Sequence, residues 1–303
     1  MMGSVLAPGS RRGVEAMEGA AVRGRSLWDD ARRRLFRHRA AVAGMAALSL
    51  LVLAAVIGPM LIPFSYDQIN KADTWVGPLQ HGHLLGADAL GRDLLARLLI
   101  GLRVSLAIGL VATLVSLLIG VAWGAVAGYA GGRLDEAMMR MVDVLYSLPF
   151  IFFVILLMVA FGSNILLIFV AIGAVEWLTM SRIVRGQTLA LKQKEFVEAA
   201  RAAGLGRGAI IARHIVPNLL GPVVVYVTLT IPAVILAESF LSFLGLGVQP
   251  PMASLGTLIA GGAQDMELAP WLLVFPSLTM VVTLMSFNFI GDGLRDAIDP
   301  KDR

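Results

Sequence analysis

The sequence contains no cysteine. Disulfides, thiolate metal sites and cysteine nucleophiles are therefore excluded. Charge is scarce: Asp, Glu, Lys and Arg make up 15% of the 303 residues, against roughly 25% in soluble domains. No phosphate-binding Gly-x-x-x-x-Gly-Lys-Ser/Thr occurs, so any ATP must be hydrolysed by another chain. Neither His-Glu-x-x-His nor Gly-x-Ser-x-Gly is present. The four histidines (His38, His81, His83, His214) all lie outside the cores of the apolar runs, which argues against an intramembrane protease. Acids in the middle of those runs and a convincing internal repeat are also missing, which argues against an ion-coupled secondary transporter.

Apolar residues are abundant, at 57% of the chain, with a mean hydropathy of +0.79. The net charge is +4. The basic residues are dispersed between long uncharged stretches, a pattern that suits a membrane protein better than a nucleic-acid-binding face. Those stretches are 40–66, 104–132, 144–175, 215–237 and 268–291. About 20 helical residues cross a hydrocarbon core of about 30 Å. Four stretches fit one span each. The stretch 144–175 is too long, and its Phe161-Gly162-Ser163-Asn164 turn signal divides it into spans near 142–161 and 165–182. The expectation is an all-α polytopic membrane protein with six transmembrane helices. The first span is too long for the 7–15-residue apolar region of a cleaved signal peptide.

Six spans place both termini on one side. If that side is the cytoplasm, only Lys71, Arg92, Arg97 and Arg103 of the 25 Lys and Arg fall outside. Residues 1–39 form a basic cytoplasmic segment with nine arginines, its beginning disordered and Ser26 to Phe36 a basic amphipathic helix on the membrane surface. Residues 40–303 form the membrane domain. Leu94, Leu95, Leu98 and Leu99 make a helical stripe at the outer interface before the second span. Gly120, Gly124 and Gly128 recur every fourth position, a row that lets two helix backbones approach closely. Pro222 and Pro232 bend the fifth span, as a pore-lining kink or as a packing bend.

The cytoplasmic loop 182–214 is the informative segment. It reads Lys194-Glu195-Phe196-Val197-Glu198-Ala199-Ala200-Arg201-Ala202-Ala203-Gly204. Helical spacing puts Leu189, Phe196, Ala200 and Ala203 on one face. Gly204 can end the helix in the left-handed cap conformation. A second short helix, about Arg207–His214, then leads to Pro217-Asn218 and span five.

Glu198-Ala199-Ala200, then Gly204 and Ile215-Val216-Pro217, resembles the EAA loop of the membrane subunits of bacterial ABC importers. The chain departs from that pattern at His214 and Val216, where the family often has Ile and Leu. Further segments resemble the dipeptide/oligopeptide/nickel branch and its C-type subunit. They are Leu84 to Asp93, Arg182 to Gly186, Glu238 to Gly247, and Phe287-Asn288 with Gly291 to Asp296. The resemblance covers roughly residues 30–303 and implies a type I ABC importer transmembrane domain in the bacterial inner membrane. Implied partners are a second permease subunit, two cytoplasmic ATP-binding subunits, an extracytoplasmic solute-binding protein, a peptide substrate and membrane lipid. Neither a cofactor nor nucleic acid is implied. The loop would seat in a groove of an ATPase subunit and transmit its closure to the spans. The residues that carry this role by resemblance are Glu198, Ala199, Ala200, Arg201, Ala203, Gly204, Leu205 and Gly206. The plainer alternative for Glu198 is an exposed carboxylate paired with Arg201 or Arg207. The cargo is open between peptides, nickel chelates and other small solutes.

Three further features stand out. Glu238, near the outer end of span five, faces either the pathway, the binding protein or interfacial water. Asp143 and Glu176 read as carboxylates near span ends. His81-Gly82-His83 is a weak metal site at best, because no third ligand lies near in sequence.

Overall fold

The computed structural model describes residues 27–161 and 165–298. The expected disordered beginning and the Gly162-Ser163-Asn164 turn lie outside these. The described residues are mostly helical, with no strand. In chain order the helices are α1 Leu27–Arg37, α2 Arg39–Leu61, α3 Leu94–Ala130, α4 Gly132–Ser147, α5 Phe150–Phe161 and α6 Ile165–Leu191. They continue with α7 Glu195–Ala202, α8 Arg207–Ile210, α9 Val216–Phe243, α10 Leu255–Gln264 and α11 Trp271–Ile298.

Among the described residues, four helical stretches are long and apolar enough to cross a membrane. They are Arg39–Leu61, Leu94–Ala130, Arg207–Phe243 and Trp271–Ile298. Two expectations change here. The outer Leu94–Leu99 stripe is the first turns of α3 itself, a single helix of 37 residues. No proline interrupts it, and Asp93 caps its start by accepting the Ala96 N–H at 2.7 Å. The expected span 142–161, by contrast, is divided. Pro149 lacks an N–H and pushes Leu148 into extended backbone (φ −74°, ψ 128°), so α4 stops at Ser147 and α5 starts afresh for only 12 residues. α6 compensates in length and runs to Leu191 rather than to 182.

The glycine row of α3 makes a close helix contact. A side chain at Gly120 would stand 2.5 Å from Met180, and one at Gly128 2.8 Å from Thr188. At Gly124 it would strike the Ser181 carbonyl. The row therefore packs α3 along α6, and no pathway needs to be invoked for it.

Prolines in the membrane helices free carbonyls, and the structure shows where two of these go. Pro59 leaves the Ala55 carbonyl without its helical donor. Arg103 of α3 supplies two, from Nε at 3.0 Å and Nη2 at 2.7 Å. In α11, Pro276 frees the Leu272 carbonyl, against which Gly262 of α10 packs so closely that a side chain there would collide. Arg103→Leu should therefore destabilise the chain by roughly 1–2 kcal/mol. Most of that loss should disappear in a Pro59→Ala background, where the helical N–H returns. Thermal unfolding of the four variants in detergent checks this, and simple additivity of the two changes would contradict it.

Candidate functional site

The segment after α6 is built from its ends inward. α6 ends in a turn that Lys192 closes by donating to the Gly128 carbonyl at 2.9 Å, so the end of α3 is held there too. α7 follows. Its termination is a glycine-closed double hydrogen bond: the Gly204 N–H donates to Arg201 O at 2.9 Å and the Leu205 N–H to Ala200 O at 3.2 Å. Gly204 has φ +82°, which glycine adopts without strain. α8 then starts at Arg207 and does not end as a separate helix. A wide π-turn, Ile211–Ile215, joins it to α9, with the Val216 N–H bonded to Ile211 O. Pro217 stands in the first turn of α9, where it cannot donate and where its ring needs room from the preceding carbonyl. Asn218 Nδ2 satisfies the His214 carbonyl at 2.6 Å. The expected second short helix is thus the beginning of one continuous rod with α9.

The inward face of α7 differs from the expected one. Val197 (0% exposed) and Ala200 are buried, whereas Phe196 (38%) and Ala203 face outward. The break at residues 192–194 resets the helical phase, so Leu189 and Phe196 do not share a face. Val197, Ala200, Leu205 and Ile210 join one apolar cluster with Ala125 and Tyr129 of α3, Met180 and Val184 of α6, and Leu219 and Val223 of α9. Arg201 lies over the Tyr129 ring at 5.4 Å from its centre and donates to its hydroxyl at 3.4 Å. It is therefore turned toward the bundle. Glu198, Ala199, Ala202, Ala203, Gly204 and Gly206 are exposed, and Glu198 pairs with neither Arg201 nor Arg207. A side chain at Gly204, Gly206 or Gly208 would meet nothing within 4 Å.

A family model described as binding-protein-dependent transport system inner membrane component matches residues 120–303. A second, described as the N-terminal TM domain of oligopeptide transport permease C, matches residues 26–80. The oligopeptide transport system permease protein OppC of Escherichia coli K12 is 55% identical over 299 residues, 97% of this chain and 99% of that protein. OppC of Haemophilus influenzae is 53% identical over 291 residues, 96% and 94% of the two chains. This chain belongs to the binding-protein-dependent permease family, in its oligopeptide C-type branch. The dipeptide transport system permease protein DppC of Bacillus subtilis is 45% identical over 279 residues, 92% of this chain and 87% of that one. In fold, the permease resembles a chain of the MetNI methionine ABC transporter in an inward-facing conformation. The TM-score is 0.54 at 19% identity, covering 67% of this chain and 96% of that one.

Other sequence candidates of the permease fall in places that spacing does not reveal. Glu238 is fully buried between α3, α9 and α10. It accepts from the Ser242 hydroxyl at 2.6 Å and from Ser105 at 3.5 Å. Ser105 in turn accepts the Leu255 N–H at 3.0 Å, so the carboxylate ties the outer helix α10 to α3. Only the proximity of Glu238 to Ser242 was legible in the chain. Glu176 lies near the middle of α6 rather than at a span end, because α6 is longer than expected. His81 and His83 meet carboxylates: His81 Nδ1 lies 2.6 Å from Asp73, and buried His83 Nδ1 lies 2.7 Å from Asp93. The His81 contact, foremost, holds the Asp73 carboxyl below its ordinary range. Among the described residues no group of three or more His, Asp or Glu side chains is arranged to hold a metal.

The structure also brings together two pairs that the sequence did not suggest. Arg185 of α6 grips Asp135 of α4 through two bonds of 2.6 and 2.7 Å, and Arg182 pairs with exposed Asp143 at 2.8 Å. Asp135 is buried, so its bidentate pair is worth more than the exposed one. Asp135→Asn should lower the thermal midpoint of the purified chain clearly, and Asp143→Asn should leave it nearly unchanged. Equal shifts would contradict this ranking.

Proposed function

We propose that this chain is one of the two transmembrane subunits of an ATP-driven importer that moves peptides across the bacterial inner membrane. On this reading residues 1–39 are a cytoplasmic basic segment and residues 40–303 the permease domain. The domain has six spans, α5 and α6 forming the hairpin that brings the four long stretches to six. Both termini lie in the cytoplasm. Its partners are a second permease subunit, two ATP-binding subunits that hydrolyse the nucleotide, and an extracytoplasmic binding protein. Oligopeptides are the favoured cargo, because relatives 53% and 55% identical to this chain carry that substrate in their names.

The observation that carries the mechanical part is the outward face of α7 and its turn. Gly206 and Gly208 have no reason inside this chain to be glycine. Gly206 has ordinary φ (−66°), and both have open space around them. With Ala199, Ala202 and Ala203 they make a low surface on which a second protein can seat closely, and Glu198 stands beside it without an internal partner. The opposite face, through Val197 and Ala200, is fixed to three long helices. A push on this surface is therefore delivered to the spans rather than absorbed in a loop.

Gly206→Trp and Ala199→Trp both fit the isolated fold, so they test docking without testing stability. Gly204 is a poorer probe, because any side chain there is strained by its backbone conformation. Each Trp variant should insert and accumulate normally, yet lose most ATPase-subunit binding on co-purification and most peptide uptake in proteoliposomes. Normal association and uptake by both would remove the docking role. The purified chain alone should turn over no ATP.

A further inference from the structure

Beside the cytoplasmic half of the bundle lies a cavity of about 370 Å³ between the end of α4, the start of α5 and the middle of α6. Its apolar and aromatic wall includes Tyr146, Pro149 and Phe153, and its polar side is Glu176 with Thr179. Tyr226 of α9 stands within electrostatic reach of Glu176. The Pro149 break creates the space, because a continuous helix through residues 142–161 would cover the wall of α6 at that level.

Glu176 is the anomaly in this cavity. It is half-buried in the middle of a helix read here as a span, where an unpaired carboxylate is costly. Every buried carboxylate in the described chain has a partner; of the half-buried ones Asp88 is paired, and Asp265, outside the long helices, is like Glu176 in having none. Asp73 and Asp93 have histidines, Asp88 and Asp135 have arginines, and Glu238 has hydroxyls. Glu176 accepts no hydrogen bond and meets no cation among the described residues. Arg182, which stacks over Tyr146 at 4.4 Å, is already committed to Asp143 at 2.8 Å. The fold holds a carboxyl group, aromatic walls and open space together, and the described residues supply it with neither a cation nor a hydrogen-bond donor.

We infer that Glu176 receives the α-ammonium group of the peptide in transit. The inference rests on the peptide-importer reading above and deepens it. An importer of varied peptides cannot read side chains closely, and the terminal ammonium is the one cation that unblocked peptides share. A carboxylate within an aromatic-lined cavity recognises that group by charge-assisted hydrogen bonds and by the attraction of a cation to aromatic faces, while Tyr146 and Phe153 accept any neighbouring side chain loosely.

The test uses the assembled importer in proteoliposomes, with saturating binding protein. Two tripeptides are compared, Ala-Ala-Ala and its N-acetylated form, across wild type, Glu176→Gln and Glu176→Asp. Loss of one charge-assisted contact should slow Glu176→Gln uptake of the free-amine peptide about tenfold. Uptake of the acetylated peptide should be equal in Glu176→Gln and wild type. Glu176→Asp should recover part of the free-amine rate, and ATPase activity stimulated by the binding protein should persist in both variants. Equal free-amine uptake by wild type and Glu176→Gln would overturn the inference. An equal loss for both peptides would overturn it too, assigning Glu176 to folding or to the second permease subunit. If the wild-type importer moves neither peptide, the peptide-importer reading itself fails, a result distinct from either of these.

Discussion

Burial of Val197, Ala200, Leu205 and Ile210 against α3, α6 and α9 is the contact on which the segment between α6 and α9 depends. Each such side chain contributes on the order of 1–3 kcal/mol when removed from water. Without that burial, α7 would be a helix of eight residues, far too short to hold its shape alone. With it, the helix is a fixed part of the bundle although its outer face consists of small side chains that contribute little. The same arrangement explains the chemistry of the turn. Gly204 lets the chain reverse so that Leu205 can reach the cluster that Ala200 has already joined. The π-turn before Pro217 lets α8 and α9 act as one rod.

Elsewhere the membrane environment dictates the design. Carbonyls freed by proline must find donors, and Arg103 reaching back to Ala55 is how α2 and α3 meet that demand. A buried carboxylate must find donors too, and Glu238 finds hydroxyls from two elements and thereby ties the outer helix α10 in place. These are constraints of a solvent that offers no hydrogen bonds. They also show why Glu176 stands apart: it obeys neither, and it faces a cavity.

Much of the fold was legible in the sequence. The long uncharged runs announced the four long stretches, the basic stretch before Arg39 announced α1, and the Gly120-Gly124-Gly128 row announced a close helix pair. Gly204 marked the end of α7 as expected. What was not legible depended on partners distant in sequence or on the phase between elements. The inward face of α7 was misjudged because a three-residue break resets the helical phase. Pro149 was passed over in an otherwise uniform apolar run, and so the division between α4 and α5 was missed. Asp135 with Arg185, and Arg103 with Ala55, join residues roughly fifty positions apart, which no local pattern contains.

The central claim is that α7 and α9 move as one body. The absence of cysteine in the chain makes the direct measurement simple. Spin labels at Gln193→Cys and Ala233→Cys, both exposed positions, report the distance between the segment and α9 in the assembled importer. That distance should stay the same between the nucleotide-free and ATP-trapped states, while the distance from Gln193→Cys to a label on the second permease subunit changes. A shift of the first distance with the second unchanged would show a loop that flexes instead of a lever, and would contradict the account.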